Sequence, residues 1–569
     1  MADGGSKAPL AALGVMLLMG ALWLWPIVHP GPLGTAPEPE ETESSSPPPV
    51  RRTPAPSSKP EPTPERSLAR LAGLPEGVQA NLPLHLPTSR TQAIPPALAR
   101  LEATAKQEGE AASWRALADA AAQAHFHHLA EDAYRKEADI YMKSDRQAAQ
   151  AERMKAAAHG ASLNVSWLRD ATHADRTALD TGARLEPATG CYLGAFIDRD
   201  DNIGMTLLDN RQMHGSILGF EQRVGRSHAS YYTYLSYGTP FPRQWVASLK
   251  ADGAIPHISW EPRDIASVRD DRYLEDFVAQ ARDADWPIFI RFACEMNGEW
   301  TRYHGHPREY IRAFRTVYTA FRKAPKAALI WCPDAQPAEG IDDYYPGDDY
   351  CDWVGVNLYN VMYLDDDKKR PGDSIHPTDL LDPIYQKYSA RKPIAICEYA
   401  ASHYSHLDPA PRPEFAVHRI EEFYTALQTS YPRVKMIDWY DCNNIVHARP
   451  GRQLNDYLLT DNPEVESAYR KATASSWFLG SSQDQSPTRF DTLSTTLPTD
   501  VVVRASLRSW TQTPHVYFVW DGKVVQATSD PSQSALCMQS KPGHHTLRVA
   551  AWDEENRPIA DHTFRVTVR

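Results

Sequence analysis

Two glutamates stand directly after apolar stretches of this 569-residue chain. Glu295 ends the run PIFIRFACE, and Glu398 ends the run KPIAICE. A carboxylate is costly to bury, so we expect each to face an opening or a charged partner. Two carboxyl groups can together cleave a glycosidic bond. A separation of about 5–5.5 Å suits attack on the anomeric carbon with retention, and about 6.5–9.5 Å suits activation of water with inversion.

Eight short apolar runs separated by helical stretches position these glutamates. The runs are 191–197, 228–237, 255–260, 287–294, 327–332, 352–359, 393–399 and 434–439. Strands alternating with helices predict a parallel sheet, and eight of them predict a closed (β/α)8 TIM barrel, an α/β fold, over residues 188–480. Reactive groups collect at the carboxyl ends of barrel strands. Glu295 follows the fourth run and Glu398 follows the seventh, so both should face the barrel mouth.

Three motifs carry a resemblance to a known family. They are RFACEMNGEW at 291–300, YYPGDDYCDWVGVNLYN at 344–360 and CEY at 397–399. Together they resemble glycoside hydrolase family 26, which contains β-mannanases, β-1,3-xylanases and lichenases in a clan of retaining barrel enzymes. The resemblance covers about residues 188–475 and implies hydrolysis of a polysaccharide.

The resemblance also assigns roles within the site. It makes Glu295 the acid/base and Glu398 the nucleophile. It implies that Arg291 steadies the site below the acid/base and that Tyr359 donates a hydrogen bond to the nucleophile. Two aromatic residues are implied to contact sugar, Trp300 beside the acid/base and Trp439 as the floor beneath the cleavage point.

Two departures from the family pattern stand beside this assignment. Cys294 takes the place of the histidine that usually precedes the acid/base. After the third run the family often reads SWHP, where this chain has SWEP at 259–262. We expect Trp260 to bind substrate, with packing at the barrel rim as the alternative, and Glu261 to contact substrate hydroxyls or a positively charged sugar.

The N-terminal region has a different composition from the barrel. Residues 9–28 carry no charged side chain and match the ~20 apolar residues that cross a bilayer. They predict an uncleaved signal anchor over 1–29, with a cleaved signal peptide as the alternative. The expected location is the cell membrane, single-pass, with the catalytic domain in the periplasm or outside the cell; the alternative is secretion. Residues 30–90, rich in Pro, Ser and Glu, predict a disordered linker.

Two further segments flank the barrel. Residues 91–160 favour three or four amphipathic helices with a single tetratricopeptide-like pair, a candidate surface for a protein partner. This pair would bury Trp114, Leu117, Ala118, Ala121, Ala130 and Tyr134, and we expect it to pack on a neighbouring domain. Residues 497–569 alternate apolar and polar side chains, which predicts an immunoglobulin-like β-sandwich.

Charge and cysteine content exclude several functions. The chain has 60 Lys and Arg against 72 Asp and Glu, a net charge of −12, so no nucleic-acid partner is predicted. The cysteines occur in strand-like runs without a CxxC pair, and we interpret them as buried thiols rather than disulfides or metal ligands. No metal and no cofactor is predicted.

The sequence therefore favours a membrane-anchored extracytoplasmic endo-β-glycanase, β-mannanase-like, acting by retaining double displacement. The alternative is a catalytically weak or inactive polysaccharide-binding or assembly protein of an exopolysaccharide export system.

Overall fold

The structure is a computed structural model that describes residues 68–74, 80–89, 93–171, 180–209, 211–531 and 534–569. The predicted signal anchor lies outside the described residues, as does most of the predicted linker. Among the helices that are described, none has both the length and the apolar character needed to cross a membrane.

Short helices precede the barrel. They are α1 (Leu68–Leu71), α2 (Pro96–Glu108), α3 (Ala111–Gln123), α4 (His127–Tyr141) and α5 (Arg146–His159). The apolar positions expected to pack together do so, since Leu117, Ala118, Ala121, Ala130 and Tyr134 form one buried cluster with Trp114 against it. The helical segment therefore has its own small core, and its tetratricopeptide-like character remains a prediction.

A closed barrel of eight parallel strands follows. After β1 (Ser162–Asp170), the strands are β2 (Cys191–Arg199), β3 (Met205–Leu208), β4 (Gln212–Gly215), β5 (Ser230–Ser236), β6 (Ile255–Glu261), β7 (Ile288–Phe292), β8 (Ala327–Trp331), β9 (Trp353–Asn360), β10 (Ile394–Ala401), β11 (Tyr404–Ser405), β12 (Val434–Cys442), β13 (Asn455–Asp456) and β14 (Phe478–Leu479). The helices between them are α6 (Ile217–Val224), α7 (Arg243–Asp252), α8 (Arg272–Asp283), α9 (Pro307–Phe321), α10 (Pro377–Tyr388), α11 (Pro413–Thr429), α12 (Asn444–His447) and α13 (Pro463–Ala472).

The barrel closes where β12 pairs with β2. The order around it is β2, β5, β6, β7, β8, β9, β10, β12, and every neighbouring pair is parallel. The eight strands coincide with the eight apolar runs, which confirms the predicted TIM barrel. β3 and β4 form a hairpin in the first loop of the mouth, beyond the carboxyl end of β2.

Successive strand residues face opposite sides of the barrel wall. Leu193 and Ala195 pack outward in the large cluster under the helices. Gly194 faces inward, where a Cβ atom would lie 1.8 Å from Oδ1 of Asp438. Asp438 in turn pairs with Nδ1 of His257 at 2.7 Å inside the barrel. The glycine therefore makes room for a buried acid–imidazole pair.

A β-sandwich lies beyond the barrel. Its C-terminal strands are β15 (Thr488–Thr492), β16 (Thr496–Leu497), β17 (Asp500–Arg508), β18 (His515–Trp520), β19 (Lys523–Thr528), β20 (Ala535–Gln539), β21 (Gly543–Trp552) and β22 (Pro558–Val568). One sheet has the order β15-β1-β17-β20, and the other has the order β16-β22-β21-β18-β19.

The sandwich extends beyond its predicted span of 497–569. β15 begins before this span, and β1 comes from before the barrel and pairs Trp167 with Val503. A nine-residue strand whose partner lies more than 300 residues away carries no local signal of the sheet it joins. The immunoglobulin-like topology stays a prediction.

The helical segment docks on the sandwich, as expected for a unit with so small a core. The indole of Trp510 stacks on the imidazole of His127, with ring centroids 4.5 Å apart and planes 6° from parallel. The guanidinium of Arg508 contacts Asp379 of α10 at 2.6 Å and also donates to the backbone oxygen of Ala157 in α5. One arginine thus connects sandwich, barrel and helical segment.

We predict that Trp510→Ala loosens this docking by roughly 1–3 kcal/mol, because the stacked contact with His127 is lost. Hydrogen exchange in α4 and α5 should accelerate, while Trp510→Phe, which keeps an aromatic face, should stay close to wild type. Unchanged exchange in Trp510→Ala would show that the stacking does not hold the helices.

Candidate active site

The two glutamates lie at the mouth of the barrel, as predicted. Glu398 belongs to β10, the seventh barrel strand, and Glu295 follows β7, the fourth. The chain leaves β7 with φ values of 50° at Ala293 and 57° at Glu295, in the left-handed region that side-chain-bearing residues rarely adopt. The amide of Glu295 donates to the backbone oxygen of Cys332 at 2.8 Å. Such strain is typical of functional sites, and here it aims a carboxyl group into the mouth.

Two hydroxyl donors and a guanidinium converge on the carboxylate of Glu398. The guanidinium of Arg291 lies 2.7 Å from its Oε1, and the hydroxyl of Tyr234 donates to the same oxygen at 2.6 Å. The hydroxyl of Tyr359 donates to Oε2. A cation and two hydroxyls around one carboxylate stabilise its ionised form.

Glu295 has a different environment. Its Oε2 accepts a hydrogen bond from the indole N–H of Trp300 at 2.6 Å, and its Oε1 accepts one from the amide of Asn357 at 2.7 Å. Burial, followed by the charge of Glu398, raises the pKa of Glu295 to about 8, although the two neutral donors lower that pKa in part. Glu295 is therefore protonated at neutral pH.

Arg291 and Asn357 join the two carboxyl groups into one network. The guanidinium that holds Glu398 also donates to the side-chain oxygen of Asn357 at 3.0 Å, and Asn357 donates to Glu295. All four side chains are buried at 2 % exposure or less. The network links the carboxyl group whose pKa is raised to a carboxylate that is paired with a cation, an arrangement that suits an acid and a nucleophile.

A cavity of about 540 Å³ adjoins the pair. Tyr234 forms part of its wall, so the hydroxyl that holds Glu398 belongs to a residue that also lines open space. Apolar and acidic side chains complete the lining, among them Phe196, Asp198, Met213, Phe241 and Glu261. The cavity approaches Glu398 through Tyr234, and neither Glu295 nor Glu398 is among its lining residues.

Glu261 lies in this wall with its carboxyl group already engaged. It accepts hydrogen bonds from the hydroxyls of Ser259 at 2.7 Å and Tyr303 at 2.9 Å. The thiol of Cys294, the residue in the place of the family histidine, donates to it at 3.3 Å. Burial raises the pKa of Glu261. Cys294 thus contributes a weak donor to Glu261 and no contact to Glu295.

The prediction that Trp260 binds substrate is wrong. Its side chain is fully buried and stacks on Phe277 of α8, with ring centroids 4.1 Å apart. Since side chains alternate along a strand, its neighbours Ser259 and Glu261 point into the barrel and Trp260 points outward to the helices. The alternative, in which Trp260 is a packing residue, fits the structure. The packing lies under the helices rather than at the barrel rim.

The prediction that Trp439 forms the sugar floor is also wrong. Trp439 has no exposed surface, and its indole N–H donates to the backbone oxygen of Tyr457 at 3.1 Å. Its ring packs against Tyr399 and Tyr469, at 5.5 and 5.6 Å between centroids. Tyr440, one residue further along β12, is the aromatic side chain that faces the mouth.

Three residues of the site were missed by sequence reasoning. Tyr440 lies 5.8 Å from the ring of Tyr359, and Tyr234 and Asn357 hold the two carboxyl groups. Asn357 stands two residues before Tyr359, so the period of two along the strand would have placed both on one face. Tyr234 had no comparable signal, because the run SYYTYLSY offers a tyrosine to each face.

One group of described residues has the ligand types for a divalent cation. The candidate ligand atoms of His403, Asp456 and Asp461 lie within 4.8 Å of one another. Nε2 of His403 also lies 3.2 Å from Asp461, so the imidazole and this carboxylate can satisfy each other without a metal ion. All seven cysteines are free and buried, which agrees with the interpretation of those in the strand-like runs as thiols.

Part of the barrel is similar in sequence to known glycosyl hydrolases. Residues 269–369 match the sequence model of glycosyl hydrolase family 26. The chain is 25% identical over 281 residues to Endoglucanase H of Acetivibrio thermocellus, covering 45% of this chain and 29% of that protein. It is 29% identical over 108 residues to Beta-1,3-xylanase TXYA of a Vibrio species, covering 17% and 22% respectively. The match to the family model lies within the barrel and includes Glu295, and it agrees with the resemblance seen in the motifs.

The chain spans less than a third of the length of both curated relatives. Among solved structures, it is similar to a GH26 beta-mannanase from Bacteroides ovatus, with 15% identity and a TM-score of 0.37 over 52% of this chain and 92% of that one.

The protonation of Glu295 leads to a stability prediction. Its pKa is about 8 in the folded protein and near 4.5 when unfolded, so the folded state loses stability as pH rises from about 4.5 to about 8. Glu295→Gln removes this loss. The melting temperature of the variant, relative to that of wild type, should therefore rise as pH increases from 5 to 8.5. The exposed neighbour Glu299, changed to Gln, should show no such trend. A constant difference between Glu295→Gln and wild type across this range would mean that Glu295 does not titrate there.

Proposed function

We propose that the barrel domain is a retaining endo-β-glycanase that cleaves a β-linked polysaccharide. The observation that carries this proposal is the buried network joining Glu295 and Glu398, in which Asn357 contacts Glu295 and Arg291, and Arg291 pairs with Glu398. The match of residues 269–369 to the model of glycosyl hydrolase family 26 supports the reaction class. The curated relatives are an endoglucanase and a β-1,3-xylanase by name, and both names fit attack on a β-linked chain.

The proposed reaction has two steps. Glu398 attacks the anomeric carbon while Glu295 gives its proton to the leaving oxygen, which breaks the glycosidic bond and forms a glycosyl ester on Glu398. Glu295, now ionised, then takes a proton from water, and the resulting hydroxide displaces Glu398 from the sugar. The ion pair with Arg291 and the hydrogen bonds from Tyr234 and Tyr359 keep Glu398 ionised for the first step.

We place the enzyme at the cell membrane, single-pass, with the barrel in the periplasm or outside the cell. The apolar stretch at 9–28 supports an anchor, and the Pro-rich stretch at 30–64 supports a spacer between anchor and barrel. Secretion after cleavage of the stretch is the alternative. The helical segment at 91–160 is the proposed surface for a protein partner.

A second candidate is a polysaccharide-binding or assembly protein with weak or no turnover. The observation that favours it is the complete burial of both carboxyl groups, together with Cys294 where the family has histidine. Binding of an oligosaccharide without new reducing ends over several days would favour this candidate over hydrolysis.

We predict that Glu398→Ala abolishes hydrolysis, because no group remains to form the glycosyl ester. Azide should restore turnover of an activated aryl β-glycoside by entering the space left by the carboxylate. The product would be a glycosyl azide of inverted configuration, identified by proton NMR. Glu299→Ala should hydrolyse normally and yield no azide, and ordinary hydrolysis by Glu398→Ala would refute the assignment.

We predict that kcat/KM falls tenfold per pH unit above about pH 8, because Glu295 must be protonated for the first step. Trp300→Phe removes a hydrogen bond that lowers the pKa of Glu295, so the alkaline limb of the profile should move to higher pH. A limb that stays in place, or moves to lower pH, would assign the titration to another group.

A further inference from the structure

Two loops meet above Glu295. Trp300, in the loop after β7, donates its indole N–H to Glu295 at 2.6 Å. Gly298 allows the indole to lie against the backbone, because a Cβ atom there would be 2.3 Å from the ring. The guanidinium of Arg452, in the loop after β12, lies 5.9 Å from the centroid of the same ring. An arginine from the eighth loop therefore reaches across the mouth to the acid end of the site.

Among the residues that the structure describes, no anionic side chain pairs with this arginine. Within the part of the chain that the structure describes, Arg452 is half-buried, contacts the ring of Trp300 and forms no salt bridge. Burial and the like charge of Arg449 lower the pKa of Arg452, and the acids Glu295 and Asp334 offset this only in part. A guanidinium that is partly removed from water without a carboxylate is unfavourable, and an anion bound beside it would relieve that cost.

Asp334 offers a second unsatisfied group at the same end. It follows β8, between the strands that deliver Glu295 and Asn357, and is 1 % exposed. Asn297 holds its backbone N–H and C=O at 2.9 Å each, and Oδ1 accepts the amide of Gln336 at 2.8 Å. Oδ2 has no partner among the described residues. The carboxyl group of Asp334 is thus held in place, and its Oδ2 atom remains able to accept a hydrogen bond.

The contacts of Arg452 and Asp334 show on which side of the cleft these two residues lie. Asn297, two residues after Glu295, holds the backbone of Asp334, and Arg452 contacts Trp300, whose indole N–H donates to Glu295. If Glu295 is the acid that protonates the leaving oxygen, this end of the cleft accommodates the leaving sugar. The inference rests in this respect on the proposed function.

We propose that Arg452 and Asp334 form a leaving-group-side subsite for an acidic sugar, in which Arg452 pairs with the carboxylate of a uronate residue. Oδ2 of Asp334 binds a hydroxyl of the same residue. The planar fork of a guanidinium matches a carboxylate, and such pairs are stronger than neutral hydrogen bonds. The substrate class is then a β-linked polysaccharide that carries uronate residues.

Binding tests the subsite independently of turnover. The probes are β-linked oligosaccharides containing glucuronate or mannuronate, each beside its carboxyl-reduced form, in which the carboxylate has become a hydroxymethyl group. Binding is measured by calorimetry on the full chain carrying Glu398→Gln. An acidic form should bind about tenfold more tightly than its carboxyl-reduced form. Arg452→Gln should bring the two forms to equal affinity without weakening the reduced one, and Arg272→Gln, at a 93 % exposed arginine, should keep the preference. Asp334→Asn should weaken both forms alike.

Equal binding of acidic and reduced forms by the Glu398→Gln chain, or binding of neither, would overturn the proposal. An equal loss for both forms in Arg452→Gln would also overturn it, since this result assigns Arg452 a structural role. Hydrolysis by the unmodified chain separates the two claims. Cleavage of both forms at equal rates supports the glycanase and contradicts the subsite, whereas a binding preference without new reducing ends supports the subsite and contradicts the glycanase.

Discussion

The ion pair between Arg291 and Glu398 is the interaction on which the site depends. Both side chains have no exposed surface, and their charged atoms lie 2.7 Å apart. A buried charge without a partner costs several kcal/mol, so each member of this pair requires the other. The charge of Glu398 adds to burial in raising the pKa of Glu295. One buried cation therefore gives the two glutamates different electrostatic environments.

Closure of the barrel brings this network together. Tyr234, Arg291, Asn357 and Glu398 belong to the second, fourth, sixth and seventh strands, and their side chains meet only because the strands form a ring. The pairing of β12 with β2 completes that ring. The loops after β7 and β12 then approach each other above Glu295, where Trp300 and Arg452 are in contact. The strands thus supply most side chains of the network, and the loops supply the side chains that would surround a bound sugar.

The sequence predicted the parts of the fold that depend on local pattern. All eight barrel strands coincide with apolar runs, and the hydrogen bond from Tyr359 to Glu398 is the one that the motifs implied. The motifs did not specify the ion pair of Arg291 with Glu398 or the hydrogen bond from Trp300 to Glu295. The predictions for Trp260 and Trp439 were wrong for a specific reason. A motif shows which residue is aromatic, whereas strand parity decides whether it faces the mouth or the helices. β1 was missed because its sheet partners lie more than 300 residues away.

The replacement of histidine by Cys294 shows how a local substitution is accommodated. The thiol contacts Glu261, which also accepts hydrogen bonds from Ser259 and Tyr303, so the carboxyl group in the wall of the cavity is satisfied by three donors. Neither Glu295 nor Glu398 depends on the missing imidazole for its contacts. The acid–nucleophile network is complete without it.

Trapping the covalent intermediate tests the central claim most directly. The full chain would be incubated with 2-deoxy-2-fluoro β-glycosides that carry an activated leaving group, digested and examined by mass spectrometry. The account predicts one sugar per chain, attached through an ester to Glu398. A sugar attached to a different residue, or turnover of natural substrate with inversion at the anomeric carbon, would contradict it.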